Sequence, residues 1–506
     1  MEQLLAIVER NLPVLVVVVP LIGGVLSVFM GRGQRPWLWA CAVTSVVLAL
    51  CCLLLVRVMD APDHVVSCAL GSWPPPWGIE YRVDPLNAFV LAVVATIAVV
   101  VTLYSRLSVM KEIGLDRQRF FYSLWLLAIS GLLGITVTGD AFNVYVLLEI
   151  SSLTIYGLIG MGKELDRRAL TATFNYLILG SIGASFILIG IGYLYMVTGT
   201  LNMEDMGDQL RALQVADPGN RTVLTAFSFL MVGLAMKMAL FPVHVWLPNA
   251  YTYAPTAVTA LLAATATKVG VYMSFRFLYT IFGLDYSFDR VPNNQILMVC
   301  ASLAIVYGSF SAIRQTNLKR LLAYSSVGQI GYIVLGFSLA NMNGVTGSLV
   351  HIFYHALIKG GMFLALGAVI YRLGSPMLED MRGIGRRMPI TMGAFTLGGF
   401  GLVGVPLTGG FVGKWYLVNG ALDKELWPVA IVVLVGSLLA LAYMWRIVEV
   451  AYLQPPPEDC EEVEEAPLSL VVPAVALIGV STLYGVTGVG IVEIARNAAA
   501  ALNVPL

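Results

Sequence analysis

Residues 345–371 read VTGSLVHIFYHALIKGGMFLALGAVIY. A membrane-spanning helix needs about 20 apolar residues in a row, and this run is longer. It also carries His351, His355 and Lys359. Residues four apart stack along one helix face, and each such step rises about 6 Å along the axis. A charge at the bilayer centre costs at least about 2.5–3.5 kcal/mol on insertion scales. The stretch therefore reads as a transmembrane helix with a file of three titratable groups on one side. Histidine suits proton hopping because its pKa lies near neutral. With no carboxylate or cysteine beside them, the three fit a relay better than a metal site.

The rest of the chain extends this reading. Of 506 residues, 58% are apolar and 12% are charged, and the mean hydropathy is +0.83. Soluble domains carry roughly a quarter charged residues, so this chain belongs in a membrane. Thirty basic and thirty acidic residues give no electrostatic footprint for a nucleic-acid partner. The six cysteines, at 41, 51, 52, 68, 300 and 460, form no metal-ligand or disulfide pattern. Cys51 and Cys52 read as small lipid- or helix-facing residues. Iron–sulfur, haem and nucleotide motifs are absent, so no cofactor and no metal are expected.

The first apolar run, Leu12 to Met30, follows Glu9 and Arg10. It is too long for a signal-peptide core and reads as a retained helix. Further spans are predicted near 37–57, 84–106, 120–138, 140–161, 169–197, 222–241, 257–281, 295–314, 319–340, 345–371, 388–420, 427–453 and 467–492. The expected fold is thus an all-α integral membrane protein of about fourteen helices, with 120–138 and 140–161 in a tight hairpin. Basic residues cluster in alternate loops: Arg32 and Arg35; Arg106, Lys111, Arg117 and Arg119; Lys163, Arg167 and Arg168; Arg314, Lys319 and Arg320; Arg372, Arg382, Arg386 and Arg387. The positive-inside rule puts these loops in the cytoplasm and both termini outside. The acidic stretch Glu458 to Glu465 fits that side poorly, but acidic residues count little in the rule.

Other polar residues also lie inside apolar runs. Glu149 sits in YVLLEISSLTIY, Lys237 in LAMKMALF, Lys268 in ATATKVGVY, and Lys414 follows VPLTGGFVG. Apolar neighbours on both sides argue against Glu149, Lys237 and Lys268 snorkelling to the headgroups, whereas Arg276 and Glu449 read as residues near helix ends that do so. Two of the lysines stand beside helix breakers. Lys237 precedes Pro242; Pro406 and the Gly409–Gly410 pair precede Lys414. Proline frees backbone carbonyls, which in lipid must face protein or water. Broken helices at matching places in two halves point to an ion site. The faint likeness of TFNYLILG (173–180) to IFYHALIKG (352–360) fits a five-helix unit repeated once.

Several longer segments then carry a family resemblance: GSWPPPWGIEYRVDPL (71–86), YVLLEISS, MKMALFPVHVWLPNAYTYAPTAVTALLAATATKVGVY (236–272), NLKRLLAYSSVGQIGYI (317–333), HIFYHALIKGGMFLALG and GVPLTGGFVGKW. Over essentially its whole length the chain resembles the antiporter-like subunits of respiratory complex I, membrane-bound hydrogenases and Mrp cation/proton antiporters. WPPPWGIE and TKVGVY are most similar to the Mrp D subunit. Asn249 departs from the aspartate common in the family's WLPDA segment.

The resemblance implies two inverted five-helix repeats, with helices 7 and 12 broken. They would occupy 120–281 and 295–453, after an N-terminal part (1–119, with an outer hairpin loop at 58–83) and before an acidic loop and last helix (454–506). It implies that Glu149 pairs with Lys237, that Lys268 passes charge inward, that His351, His355 and Lys359 form the central relay, and that Lys414 is the terminal lysine. It also implies a multi-pass subunit of the cell (inner) membrane, working with other membrane subunits of a hetero-oligomeric complex. That subunit would exchange H⁺ for Na⁺ or another monovalent cation and act as a secondary transporter rather than an enzyme in its own right. Two other transport functions fit the same residues: a proton-pumping subunit of a redox-driven complex, which would be part of a translocase, and a proton-conducting module for inorganic-carbon uptake. In a non-conducting scaffold the same charges would form closed pairs.

Overall fold

The computed structural model describes residues 11–456, 463–488 and 490–505. Glu9, Arg10, both chain ends and the acidic residues Glu458 to Glu462 lie outside the described residues. In chain order the helices are α1 (Leu12–Ser27), α2 (Arg35–Asp60), α3 (Pro85–Glu112), α4 (Gln118–Val137), α5 (Ala141–Gly160) and α6 (Arg168–Thr198). Next come α7 (Met203–Ala216), α8 (Arg221–Lys237), α9 (Trp246–Tyr253) and α10 (Thr256–Ile281). After these come α11 (Asn293–Ile313), α12 (Leu318–Ser338), α13 (Met342–Leu373), α14 (Pro389–Val403) and α15 (Gly409–Asp423). The chain closes with α16 (Trp427–Leu453), α17 (Leu468–Thr487) and α18 (Ile491–Ala500).

Eleven of these helices are long and apolar enough to cross a membrane alone. The shorter α1 adds one pass, and the pairs α8–α9 and α14–α15 add two that are each made of two pieces. Fourteen passes result, as the hydropathy pattern predicts. The predicted 222–241 span ends as a helix at Lys237, and the predicted 388–420 span divides after Val403. The predicted 467–492 span stops at Thr487, where Gly488 takes a left-handed conformation (φ +63°) and its N–H caps the Tyr484 carbonyl. Glycine closes helices this way at little steric cost. Beyond it, α18 buries Ile491, Ala495, Ala498 and Ala499, the one-sided spacing of an amphipathic surface helix. Neither α18 nor α7 was expected, since both are too short and polar to register as spans.

The loop expected at 58–83 is a hairpin in which β1 (Val66–Ala69) pairs antiparallel with β2 (Glu80–Val83). Glu80 ties it down: its carboxylate accepts from Ser67 Oγ (2.5 Å) and Asn202 Nδ2 (2.8 Å). Its carbonyl accepts from Gly139 N–H, in the tight α4–α5 turn (2.8 Å).

Within the bundle, α10, α12 and α13 are 94% buried along their apolar windows, against 33% for α2 and α16. A helix apolar on all sides belongs in an interior, so these three form the centre and the latter two the rim. The passes group into two blocks of five: α4, α5, α6, α8–α9, α10, then α11, α12, α13, α14–α15, α16. In each block the fourth pass is the broken one.

The second break shows what its glycines do. Gly404 ends α14 with φ +84°. Gly409 and Gly410 are not themselves the break; they begin α15 as regular helix. A Cβ on Gly410 would lie 1.8 Å from the Gly401 carbonyl oxygen, and one on Gly409 would lie 1.9 Å from Tyr354 Cδ1. Gly410 faces backbone that cannot rotate away. Gly410→Ala is therefore expected to destabilise the protein by at least about 3 kcal/mol, at the top of the overpacking range. Thermal unfolding of the purified complex in detergent measures this.

Candidate functional site

The first break places Lys237 at the last turn of α8. There Ala239 adopts φ +57° and Phe241–Pro242 is cis. Trp246 Nε1, from the first turn of α9, donates to the Met236 carbonyl at 3.0 Å. That indole adds a side-chain donor to a carbonyl at the helix break, which also accepts from Ala239 N–H at 3.3 Å. Lys237 Nζ donates to Ser152 Oγ on α5 at 3.1 Å. Glu149, one turn before Ser152, lies within Coulombic reach of Lys237. Among the described residues, however, the two make no ion pair within 4 Å, and Glu149 Oε1 is buried without a hydrogen-bond partner. The expected Glu149–Lys237 pair is thus an open arrangement with Ser152 bonded to the lysine.

Lys268 stands next in line on α10. Its helix touches the end of α8, for a Cβ at Gly270 would lie 3.1 Å from the Lys237 carbonyl carbon. Lys268 is 1% exposed, and its ammonium donates to the Ala263 carbonyl. Ala263 belongs to a π-turn, Leu262–Ala266. A π-turn changes the carbonyl register by one residue, and such bulges are frequent at functional sites. Lys268 acts electrostatically on His351, His355 and Lys359 across the helix interface.

On α13 the predicted file is present and bends at one end. The rings of His351 and His355 stack, with centroids 6.0 Å apart and planes 16° from parallel. Lys359 turns towards α12, where Nζ donates to the Leu322 carbonyl (2.8 Å) and Ser325 Oγ (2.9 Å). Ser325 Oγ is 3.0 Å from Tyr443 OH on α16. Both ring nitrogens of His355 and Nδ1 of His351 are buried without a protein partner. Buried polar atoms are satisfied by protein or by ordered water, so these nitrogens mark where a relay needs water.

Gln329, on α12, fixes the state of His351. Its Nε2 donates to the Leu402 carbonyl (3.4 Å), which can only accept. Its Oε1 therefore faces His351 Nε2, 2.8 Å away, and Nε2 must be the donor. In the neutral ring that leaves Nδ1 as the open proton acceptor, pressed against α15 at Gly413, where a Cβ would lie 2.9 Å from it. Lys414 follows on α15. Its three donors meet three acceptors at 2.9 Å: the carbonyls of Leu402 and Val403 and Ser437 Oγ. The ammonium also lies 4.4 Å from the centroid of the Tyr332 ring. A cation is favoured at the carbonyl end of a helix, here the broken end of α14.

The predicted site residues Glu149, Lys237, Lys268, His351, His355, Lys359 and Lys414 therefore follow one another from α5 to α15 through the bundle interior. Gln329, Ser325, Tyr332 and Tyr443 were not among them. The first three fall at steps of four and three in LAYSSVGQIGYI, a helical spacing that would have revealed a shared polar face. Gln329→Leu is expected to leave the fold standing at a cost of about 1–3 kcal/mol, the penalty for an unpartnered buried donor. It should slow proton flux by at least about tenfold, less than the roughly hundredfold or more that a positioned proton-transfer group itself supplies. Flux assays and melting curves on the same preparation separate the two effects.

Arg276 differs from its expected snorkelling position. It is 8% exposed, and its Nη2 bonds Asp84 Oδ1 at 2.6 Å. The antiparallel neighbour α3 supplies the partner, because Asp84 is its N-cap. Burial would raise the Asp84 pKa, but the Arg276 charge and the bonds from Arg276, Asn87 and Leu86 outweigh it and hold the carboxyl below its usual range. Glu449 is exposed in the last turn of α16, as expected.

Comparison with known proteins agrees with this fold. Residues 138–440 match the family model described as NADH:quinone oxidoreductase/Mrp antiporter, TM. The N subunit of the NADH-quinone oxidoreductase of Desulforudis audaxviator is 40% identical over 488 residues, which cover 94% of this chain and 95% of that protein. The D subunit of the Na⁺/H⁺ antiporter of Bacillus subtilis is 28% identical, with 94% of each chain covered. A chain in the structure of the Mrp complex from Dietzia superposes with a TM-score of 0.88 at 28% identity, covering 98% of this chain and 97% of that one. With matching sequence, matching fold and a lysine at each break, the chain belongs to the NADH:quinone oxidoreductase/Mrp antiporter family of membrane proteins.

Proposed function

We propose that this chain translocates protons across the cell (inner) membrane as one subunit of a hetero-oligomeric monovalent cation/proton antiporter of the Mrp type, with Na⁺ as the exchanged cation. The single observation that carries the reading is the run of groups from Glu149 to Lys414, half-buried at Glu149 and Lys237 and buried from Lys268 on. Its members are spaced by hydroxyls, an amide and unpartnered ring nitrogens rather than closed into ion pairs. A scaffold would close them, because an open buried charge is costly. Lys237 receives a proton beside Glu149, Lys268 passes it to the α13 histidines, and Lys414 holds it at the end of α14. Exposed apolar residues on α2, α11 and α16, such as Leu53, Val299 and Leu438, leave room for lipid and neighbouring subunits. The basic loops face the cytoplasm and the hairpin faces outward, following the positive-inside rule.

A second reading is favoured by the 40% identity to a quinone oxidoreductase component: the same path driven by electron transfer in a partner. Sealed vesicles holding the whole complex discriminate. Collapse of an imposed pH gradient on adding Na⁺, with no electron donor present, supports the antiporter. A gradient that ignores Na⁺ but builds on adding a donor and quinone supports the second reading. Indifference to both would sink proton translocation by this chain.

A further inference from the structure

A cavity of about 580 Å³ opens on the hairpin face, away from the file just described. His64 and Arg82 wall it from the hairpin side, Asp84 from the start of α3, Glu204 from α7, Arg276 from α10 and Ala501 from the end of α18. Nothing in the lateral path uses it. It is nevertheless joined to that path through α10, because Lys268, Tyr272 and Arg276 are four residues apart and share a face. The distance from Lys268 to Arg276 along the axis is about 12 Å. From Tyr272 outward the polar contacts are continuous. Tyr272 OH accepts from Arg276 Nε (3.0 Å) and from Asn87 Nδ2 (2.8 Å), and Arg276 also bonds Asn87 Oδ1 and Asp84 Oδ1. A second π-turn begins at Arg276 itself, so α10 carries an irregular turn on each side of the Lys268–Arg276 segment.

We propose that this cavity is the hairpin-face mouth of the proton path, reached from Lys268 through Tyr272, and that the Asp84–Arg276 pair is its gate. The proposal rests on the proton-translocation reading. In the closed arrangement seen here, a guanidinium that never loses its charge stands between Tyr272 and the cavity and repels an arriving proton. The cavity offers it another anion: Glu204, already 2.7 Å from Arg82. When Arg276 swings to that side, the Asp84 carboxylate is released to take a proton relayed over the Tyr272 hydroxyl and hand it to water in the mouth. Lys268 bonds the Ala263 carbonyl, on the side away from Tyr272, so the inner end of this branch is also in its closed position.

The plain alternative is that the pair only ties α3 to α10. The two differ in sign. Asn caps a helix as well as Asp, so Asp84→Asn keeps the start of α3 but leaves Arg276 unpaired in the path. Arg276→Gln removes the barrier and leaves a free carboxylate. In proteoliposomes of the intact complex under an imposed pH gradient, Asp84→Asn should lower proton flux at least about tenfold, while Arg276→Gln should raise the passive leak above native. A structural tie predicts loss in both. Tyr272→Phe removes only a hydroxyl; it should lower flux severalfold and decides the matter alone if the charge variants fail to assemble. Native flux in Tyr272→Phe and Asp84→Asn overturns the mouth. If Lys268→Met abolishes flux while those two stay native, only this proposal falls; if Lys268→Met is native too, the proton path falls with it.

Discussion

Lys268→Met is expected to reduce proton flux to the level of empty vesicles while leaving the melting temperature equal to or above that of the native protein. Loss of a positioned proton-transfer group costs about a hundredfold or more, and no neighbouring amine can take over. In the proposed path Lys268 links α8 to α13. The stability argument runs the other way. Lys268 Nζ has three donors to place and bonds one carbonyl, that of Ala263. Burying a poorly served amine is unfavourable, and methionine fills a similar volume with adaptable apolar atoms. Function and stability therefore part at this residue, the usual relation at a site kept for chemistry. Flux and thermal unfolding measured on one preparation test it; a large fall in melting temperature would mark Lys268 as structural.

Lys414→Met is expected to abolish flux and to destabilise the protein as well. Here all three donors are met, two of them by carbonyls at the broken end of α14. Removing the ammonium strips Lys414's bond from the Val403 carbonyl, while Leu402 keeps the long contact from Gln329. One buried carbonyl left bare costs about 1–3 kcal/mol, so a loss of that size follows. The two lysines thus separate by stability even though each should silence transport. Equal melting curves for the two variants would contradict the assignment of Lys414 as the cap of α14.

The fold was legible because a membrane leaves few options: apolar runs of spanning length must be helices. The seven groups were legible by their expected cost in lipid; the five from Lys268 on are buried, and Glu149 and Lys237 are half-buried. What escaped was set by tertiary contact. Gln329 and Ser325 are ordinary polar residues until α13 and α14 come within reach, and then they fix a histidine tautomer and hold Lys359. Arg276 looked like a residue near a helix end because its partner, Asp84, lies 192 residues earlier in the chain. Gly409 and Gly410 looked like breakers, yet they are helical, and their role is the close approach of α15 to Gly401 and Tyr354. The helices α7 and α18 bury one face only, so no spanning run announces them. The expected Glu149–Lys237 pair followed from the family resemblance, which cannot report that Ser152 takes the hydrogen bond.

The central claim is that the open arrangement of Glu149 and Lys237 is the start of a working proton path. The most direct measurement is cation-dependent dissipation of a pH gradient in inverted vesicles holding the whole complex, comparing native protein with Lys237→Ala and Glu149→Ala. The account predicts that both variants assemble and that both lose exchange. Normal exchange in both would show these residues to be structural and would contradict the path from α5 and α8 onward.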